Sequence, residues 1–302
     1  MVSTSPRSGR SVVVTSAGAG LGRDIALGLA AKGYIVFGTA MSAAEVQDLK
    51  DASGGRVSLT VCDVTKAMGV EAWACGVTDA LGPAGLNLLI NNAGILTQGP
   101  IEILLLDAIR QEFEVNVFGA LSVINAFLPA LRKARGRIVQ VSTWMASLPL
   151  PFSGPSGASH AAIEVFSAVY RAELKPFGIE VVVVSTGNMK TGGSAKTAAL
   201  ARIANGMTSG QRKLYGKTFG TFVDGLSSMQ ATGIDSAAAA ARVVEIAEQH
   251  PAPSHAVVGA EAEQMLRAAH EKPDAELDAL RLKLVGLSRF SSQPRKGPTN
   301  GK

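Results

Sequence analysis

The sequence has few aromatic residues, few charged residues and two cysteines. Of its 302 residues, 5% are aromatic and 18% are charged, while 47% are hydrophobic. This balance is typical of one large α/β domain and argues against a disordered, collagen-like or disulfide-stapled chain. Cys62 and Cys75 lack metal-ligand spacing and are too few for a disulfide framework. We therefore expect no metal site and a reducing compartment.

Long apolar runs are also missing. Uninterrupted stretches such as residues 181–184 fall far below the roughly 20 residues that cross a bilayer. The N-terminus passes from polar residues straight into a strand pattern, without the apolar core of a secretory signal. These absences predict a cytoplasmic protein with no membrane span.

A basic surface patch is absent as well, although the net charge is +5. Two basic residues in 1–10 and four in 289–302 exceed this total, so the body of the chain sums to −1. A basic balance that comes from two tails is not the patch that a nucleic-acid-binding face needs, which argues against nucleic acid as a partner. Both tails, 1–10 and 288–302, are predicted to be disordered.

Seven β-type segments alternate along the chain with segments long enough for helices. Because the strand segments are apolar on both faces, they predict a parallel sheet covered by helices on both sides. The predicted fold class is α/β, with a single doubly wound, Rossmann-like domain over residues 11–287. The strands are predicted at residues 11–15, 34–39, 57–61, 86–91, 137–142, 179–185 and 255–259. The main helices are predicted at residues 25–31, 101–114, 117–134 and 156–176.

Residues 186–235 interrupt this alternation, since they are rich in Gly, Thr, Ser and Lys. They follow the sixth strand, at the carboxyl edge of the sheet where doubly wound folds form their ligand crevice. The segment is a candidate substrate lid. The alternative is a surface insertion that does not contact a ligand.

A glycine-rich loop, residues 16–22, lies between the first strand and the first helix. In that position its backbone N–H groups and the positive end of the helix dipole can hold a pyrophosphate. Gly20 and Gly22 allow the ligand and the helix to approach closely. The loop therefore predicts a dinucleotide crevice.

Further motifs resemble those of the short-chain dehydrogenase/reductase family, in the family's order. The family's first loop reads T-G-x-x-x-G-x-G, and here the first glycine is Ser16, with a compensating glycine two residues on. Asp63 resembles the aspartate near the adenine ring, residues 91–94 match the sheet-stabilising NNAG, and residues 187–191 resemble the turn that holds the nicotinamide carboxamide. The resemblance implies these cofactor-binding residues: Thr15, Ser16, Gly18, Gly20, Leu21, Gly22, Asp63, Val64, Asn92, Ala93, Gly94, His160, Gly187 and Thr191.

The catalytic positions implied by the resemblance are altered. Asn116 matches the family's helix asparagine, and Ser142 ends the fifth strand as the catalytic serine does. The segments around these positions, residues 115–119 and 150–167, look most like the branch of acyl-dihydroxyacetone-phosphate, retinol and hydroxysteroid reductases. The family's Tyr-x-x-x-Lys is replaced by Ser156 and His160. The resemblance therefore implies the catalytic residues Asn116, Ser142, Ser156 and His160, without the usual acid and lysine.

On a helix, positions i and i+4 share a face, so Ser156 and His160 are expected to project together. A serine hydroxyl is shorter and much less acidic than a phenol of pKa about 10 and cannot take over its proton transfer. His160 titrates in the useful range and is either an acid or ribose ligand, or a histidine that fills the lysine's space. Losing a general acid removes a factor of about 10²–10⁴, whereas proximity contributes roughly 7–11 kcal/mol. Some reduction is therefore expected to remain, particularly for a substrate that is already cationic.

Four apolar residues after the fifth strand, Trp144, Met145, Leu148 and Phe152, are candidates for the substrate pocket. Their alternative role is ordinary core. If they face the pocket, the substrate is small and apolar.

The cofactor preference is weakly marked. Thr39-Ala40-Met41 follows the second strand, where an acid would bind the ribose of NAD(H), and this missing acid tilts the prediction slightly toward NADP(H) over NAD(H). The resemblance also implies a homodimer or homotetramer through the helices at 101–134 and 156–176. Apolar positions such as Ile163, Phe166 and Val169 permit such an interface.

Three functions remain open at this stage. The first is an NAD(P)(H)-dependent oxidoreductase that acts on a lipophilic carbonyl, alcohol or imine with an altered proton relay. The second is a non-redox enzyme, such as a cyclase, isomerase or lyase, that keeps the cofactor fold. The third is a catalytically silent nucleotide-binding scaffold, which the change at Ser16 supports.

Overall fold

The computed structural model describes residues 9–190 and 193–290. Its strands form one parallel sheet. They are β1 (Ser11–Val14), β2 (Ile35–Ala40), β3 (Val57–Val61), β4 (Leu88–Asn91), β5 (Arg137–Thr143), β6 (Glu180–Thr186) and β7 (His255–Val258). The strand order is β3-β2-β1-β4-β5-β6-β7, with every neighbouring pair parallel. The predicted seven-stranded, doubly wound fold is confirmed.

The α-helices connect the strands and cover the sheet. They are α1 (Gly20–Ala31), α2 (Ala43–Ala52), α3 (Ala67–Leu81), α4 (Leu106–Phe113), α5 (Ala120–Ala134), α6 (Gly154–Leu174), α7 (Gly193–Gly206), α8 (Ser209–Ala231), α9 (Ser236–Glu248), α10 (Ala260–Glu271) and α11 (Asp274–Leu284).

The two faces of the sheet form two apolar cores, because successive strand residues point to opposite sides. Val12 and Val14 pack on one side with residues of α1 and α9. Val13, between them, packs on the other side with residues of α3 and α5. The chain leaves β1 toward β2 on one side and returns to β4 on the other. A crevice therefore opens at the carboxyl ends of β1 and β4, the switch point where such sheets bind ligands.

The helical segment between β4 and β5 differs from its prediction. Residues 101–114 and 117–134 were expected to form two helices, whereas α4 begins at Leu106 and a π-helical stretch, Glu114–Gly119, joins it to α5. A π-turn is frequent at functional sites, since it turns one side chain inward. Here the stretch contains Asn116, which is buried.

The described part of residues 186–235 contains two helices, α7 and α8. Helix α8 begins with a reciprocal cap, in which Thr208 Oγ1 accepts from Gln211 N and Gln211 Oε1 accepts from Thr208 N. Phe219 and Phe222 of α8 are fully buried and pack edge-to-face against Phe152, with ring centroids 5.5 and 5.3 Å away. The segment thus covers the chain that follows β5. Its role as a substrate lid stays a prediction.

The stretch Leu106–Ala134 is long and apolar enough to cross a membrane by length and composition, and 50% of its most apolar window is buried inside the protein. Polar residues such as Asn116 interrupt this stretch, so it contains no long uninterrupted apolar run.

Helix α6 carries both core and exposed apolar residues. Ile163 is fully buried, so it cannot contribute to the subunit interface for which it was considered. Phe166 and Val169 are 42% and 47% exposed, and Val165 beside them is 65% exposed.

The described parts of both tails are structured. Arg10 accepts a backbone hydrogen bond from Ile35, and its guanidinium lies 3.2 Å from Glu248 and over the ring of Tyr34. Ser288–Phe290 forms a short 3-10 helix. The remaining tail residues, 1–8 and 291–302, lie outside the described residues.

Candidate functional site

The glycine-rich loop lies between the ends of β1 and β2. Ser16, which replaces the family's first glycine, adopts a positive φ of 53°. Serine tolerates this left-handed conformation at a cost, and two contacts to Thr39 hold it there. Ser16 N donates to Thr39 Oγ1 at 2.9 Å, and Ala17 N donates to Thr39 O at 2.7 Å. The loop therefore keeps its turn without the glycine.

Gly22 is enclosed by the same loop. A Cβ at this position would lie 2.2 Å from Ser16 O and 2.6 Å from Asn92 Nδ2, which no side chain can satisfy. Gly22 therefore lets α1 pack directly against the end of the sheet, as the sequence predicts for the last glycine of such a loop.

The N-terminus of α1 is free to bind an anion. Its N-cap residue, Ala19, makes no side-chain cap, and the first turn contains no acidic residue. Gly20 has φ 55°, and no atom of the described residues lies within 4 Å of the position that its Cβ would take. The start of α1 thus has space beside Gly20 and no acidic residue in its first turn, as a pyrophosphate site requires.

Thr15 links this loop to the segment after β4. Its Oγ1 accepts from the backbone N–H groups of both Asn92 and Ala93, each at 2.9 Å. Asn92 Nδ2 donates to Thr15 O at 3.2 Å. These hydrogen bonds join the two sides of the crevice at its floor. One side is the glycine-rich loop, and the other is the segment after β4, which continues to Gly94.

Asp63 lies just after β3 at the edge of this crevice. Its Oδ1 accepts from Thr65 N at 2.9 Å and from Thr65 Oγ1 at 2.8 Å. The backbone hydrogen bond from Thr65 holds the pKa of Asp63 below its ordinary value, so the carboxylate is charged at neutral pH. Val64 is buried against Gly119. Leu21, in the first turn of α1, is also buried.

The turn after β6 is fastened to β7. Gly187 N donates to Val258 O at 2.9 Å, and Asn188 Nδ2 donates to both carboxylate oxygens of Glu261. Gly187 therefore lies at the carboxyl edge of the sheet, as predicted. Thr191, the other predicted residue of this turn, lies outside the described residues.

Asn116 is held by four partners. Its Oδ1 accepts from Ile95 N at 2.8 Å, while its Nδ2 donates to Ile95 O and to Ser159 Oγ, both at 3.0 Å. Its fourth partner, at 3.5 Å, is Oε1 of Glu112, one turn earlier. Asn116 thereby connects the π-helical stretch to α6.

Glu112 is a buried acid that was not among the predicted site residues. It is fully buried, and its Oε2 accepts from Thr97 N at 2.7 Å. Burial raises the pKa of Glu112 to about 7, because the charged form loses its hydration. An ionisable group thus lies directly behind Asn116.

Ser142, the predicted catalytic serine, donates a hydrogen bond to Glu164, a residue that was not among the predicted site residues. Its Oγ donates to Glu164 Oε1 at 2.5 Å and lies 3.4 Å from His160 Nδ1. Because the hydroxyl has one proton and Glu164 receives it, His160 Nδ1 must be the donor in the second contact. His160 Nε2 is then an acceptor.

His160 is neutral at pH 7. Burial lowers its pKa to about 4, which opposes the expectation of a histidine that titrates near neutrality. His160 lies on α6, where the surrounding protein keeps water from the ring, and this loss of hydration disfavours the charged form. As a neutral ring, His160 can accept a hydrogen bond from a ribose hydroxyl, but it cannot act as a general acid at neutral pH.

Glu164 also joins the site to the surface. Ser185 Oγ, paired with Ser142 in the β5–β6 register, lies 3.4 Å from Glu164 Oε1 and 2.8 Å from His255 Nε2. His255 is the exposed first residue of β7. A continuous polar chain therefore runs from His160 through Ser142, Glu164 and Ser185 to solvent.

One local expectation needs correction. Strand β5 continues through Thr143, so Ser142 is not its last residue. On α6, the hydroxyl that contacts Asn116 belongs to Ser159, whereas Ser156 is buried one turn away with its carbonyl accepting from Ser159 Oγ. Both serines are buried, and the catalytic role of Ser156 stays a prediction. Tyr215 of α8 donates to Glu102.

The four predicted pocket residues belong to a third apolar cluster. Trp144 and Leu148 are fully buried, and Met145 and Phe152 are partly buried against the same cluster, which includes residues of α8 and α11. Phe152 holds a positive φ of 63°. In this arrangement the four residues pack under α8, and their contact with a substrate stays a prediction.

The missed acids had a sequence signal. Glu112 precedes Asn116 by four residues, and Glu164 follows His160 by four. On a helix such pairs lie on one face, so a search for acids at this spacing finds both. Within the described residues, no group of three potential metal ligands occurs.

A family model described as short chain dehydrogenase matches residues 10–200. The chain is 34% identical over 186 residues to estradiol 17-beta-dehydrogenase 2 of Mus musculus, covering 60% of this chain and 49% of that protein. It is also 34% identical over 191 residues to the mitochondrial D-beta-hydroxybutyrate dehydrogenase of Rattus norvegicus, with 60% and 54% covered. The chain thus spans about half the length of these relatives.

Solved structures match over nearly the whole chain. A short-chain dehydrogenase from Streptomyces avermitilis has a TM-score of 0.73 and 26% identity, covering 95% of this chain and 98% of that one. A short chain dehydrogenase from Burkholderia cenocepacia, in complex with NADP, has a TM-score of 0.70 and 26% identity, with 91% and 97% covered.

Proposed function

Because the chain belongs to the short-chain dehydrogenase family, we propose that it is an atypical oxidoreductase that uses a nicotinamide dinucleotide. Its substrate is a lipophilic carbonyl, alcohol or imine, and its proton relay is altered. Among these classes the site suits an iminium best.

The charge around the predicted catalytic residues carries this proposal. The lysine of the family pattern is replaced by His160, whose lowered pKa makes it neutral at pH 7. Two carboxyl groups lie in hydrogen-bond contact with predicted catalytic residues, Glu112 with Asn116 and Glu164 with Ser142. The site thus lacks the positive charge of the family's lysine and has two carboxyl groups beside it, which favours a cationic substrate over a neutral ketone.

The residues present fit a dinucleotide. The open N-terminus of α1 and the closely packed Gly22 form a cradle for a pyrophosphate. Asp63 would lie beside the adenine, and Gly187 beside the nicotinamide carboxamide. His160 Nε2, as an acceptor, would take a hydrogen bond from a ribose hydroxyl. A bound reduced nicotinamide supplies a hydride.

The chain's own residues then position the substrate. An iminium that receives a hydride becomes an amine and needs no proton, so the missing tyrosine costs this reaction little. Glu164, together with the ionised form of Glu112, would stabilise the cation before transfer, and the apolar cluster around Trp144 and Phe152 favours a lipophilic body. A carbonyl, by contrast, needs a proton that neither Ser142 nor neutral His160 readily gives.

The preference between NAD(H) and NADP(H) depends on finer features of the site. The absence of an acid after β2 tilted the sequence prediction toward NADP(H), and the Burkholderia neighbour was solved with NADP. Glu45 of α2, which accepts a hydrogen bond from Met41 N at 2.8 Å just beyond β2, supports NAD(H) instead.

A homodimer or homotetramer is part of this proposal. Phe166, Val169 and Val165 form an exposed apolar face on α6, and Phe118 of the neighbouring π-helical stretch is 54% exposed. Such a face suits association with a second copy. A cytoplasmic location and the absence of nucleic acid and membrane partners stay predictions from the sequence.

The test measures oxidation of NADH and NADPH against a panel of cyclic iminium salts, aldehydes and aromatic ketones. We expect the native protein to reduce iminium salts and to be weak on ketones. The double variant Ser156→Tyr, His160→Lys restores the family's pair and should raise ketone reduction by about 10²-fold, the usual effect of a positioned acid. The non-redox or scaffold function would be favoured if the native protein binds nucleotide but reduces none of these substrates, and if the folded double variant is inactive as well.

A further inference from the structure

Glu45 of α2 reaches back into the crevice. Its Oε2 accepts from Met41 N at 2.8 Å, just beyond the end of β2. A Cβ on Gly18 would lie 2.5 Å from the same oxygen. The carboxylate therefore fills the gap between the glycine-rich loop and the end of β2.

This gap is where a bound dinucleotide would place its adenosine ribose. The pyrophosphate site lies at the start of α1, and the ribose is bonded directly to that group. Ala17 N donates to Thr39 O at 2.7 Å, so the loop and the end of β2 are immediate neighbours. Rossmann-type folds distinguish the ribose 2′-OH from a 2′-phosphate at this edge.

The basic residues that a 2′-phosphate requires are missing here. Residues 39–45 contain no lysine or arginine. Arg23, in the first turns of α1, already binds Asp48 of α2, with its Nε at 3.3 Å and its Nη2 at 2.9 Å from Oδ2. Its guanidinium is thus held by a carboxylate.

We propose that Glu45 selects NAD(H) over NADP(H), accepting a hydrogen bond from the ribose 2′-OH and repelling a 2′-phosphate. This inference rests on the proposed function, since it requires a dinucleotide in the crevice. In the usual pattern the acid that binds the ribose directly follows β2. Here the acid comes from the first turn of the next helix.

Glu45 also contributes to the start of α2, and the test must separate the two roles. Its backbone N donates to Ser42 Oγ at 3.2 Å, so the residue belongs to the helix cap. The variant Glu45→Gln keeps a side-chain oxygen that can accept from Met41 N but removes the charge. A capping role alone predicts the same nucleotide preference in this variant.

The experiment titrates NADH and NADPH separately into the native full-length protein, Glu45→Gln and the control Glu71→Gln by calorimetry. Glu71 is an exposed glutamate of α3. We expect the native protein and the control to bind NADH at least about tenfold more tightly than NADPH, because juxtaposed like charges weaken binding. Glu45→Gln should reduce this ratio to about threefold or less, mainly by tightening NADPH.

Two results would overturn the inference alone: NADPH bound as tightly as NADH by the native protein, or an unchanged ratio in a folded Glu45→Gln. Binding of neither nucleotide would overturn the proposed function and this inference with it. Thermal unfolding of the variants shows that each is folded.

Discussion

Ser142 Oγ donates a 2.5 Å hydrogen bond to Glu164 Oε1, across the gap between β5 and α6. The hydroxyl predicted to serve catalysis is therefore engaged by a residue that lies four positions beyond His160. This contact fixes the tautomer of His160 and starts the polar chain that reaches the surface at His255. It links the packing of α6 on the sheet to the chemistry of the site.

Removal of this acceptor is expected to destabilise the protein. Glu164→Ala leaves the buried Ser142 hydroxyl without the acceptor of its 2.5 Å hydrogen bond, at a cost of about 1–3 kcal/mol, whereas Ser185 keeps its contact with His255. Glu173→Ala, an exposed change on the same helix, should stay within about 0.5 kcal/mol of the native protein. Denaturant midpoints for the three proteins measure both effects. Equal losses in the two variants would mean that the Ser142–Glu164 contact contributes nothing.

His160 should make the stability of the protein depend on pH. Its pKa is lowered to about 4 in the folded state, against an ordinary 6.5. Its contribution is thus fully present above pH 6.5 and is lost as the pH falls toward 4, with a size of up to about 3 kcal/mol. Glu112 acts in the opposite direction, because its raised pKa of about 7 lowers the stability as the pH rises from 4.5 to 7.

The measurement is therefore the difference in the free energy of unfolding between native protein and His160→Gln from pH 7 to pH 4. Glu112 is present in both proteins and cancels. We expect the native protein to lose stability relative to the variant as the pH falls. Parallel curves would contradict a neutral, buried His160.

The exposed face of α6 is expected to mediate self-association. Phe166→Asp places a charge on this face and should convert an oligomer to monomer at micromolar concentration, because a charge buried in an apolar interface loses its hydration. Leu214→Asp changes an equally apolar residue on α8, 69% exposed, and should leave the oligomer intact. Sedimentation velocity distinguishes these states. A native monomer, or an oligomeric Phe166→Asp, would refute the interface.

Periodicity and turn residues were enough to predict the sheet. Valine-rich strands separated by helices have one stable arrangement, and the glycine-rich loop marked the crevice at β1. Glu45, Glu112 and Glu164 were not predicted, because the spacing of a helical glutamate does not show which face of its helix packs against the site. The sequence pattern also misjudged Ile163, which is fully buried, since the rotation of α6 about its axis depends on contacts with distant elements. Residues 186–235 seemed irregular because their glycines masked a helical pattern completed by Phe219 and Phe222.

The most direct test of the central claim, a dinucleotide held at the start of α1, compares NADH binding by Gly20→Ala and Gly33→Ala. Both glycines have positive φ, 55° and 87°, and no atom of the described residues lies within 4 Å of either Cβ position. Both variants thus strain the backbone, but Gly20 begins α1 and Gly33 follows its end. We predict that Gly20→Ala weakens binding by about tenfold or more, since its methyl group fills the pyrophosphate cradle, while Gly33→Ala binds as the native protein does. Equal affinities in both variants would contradict the account.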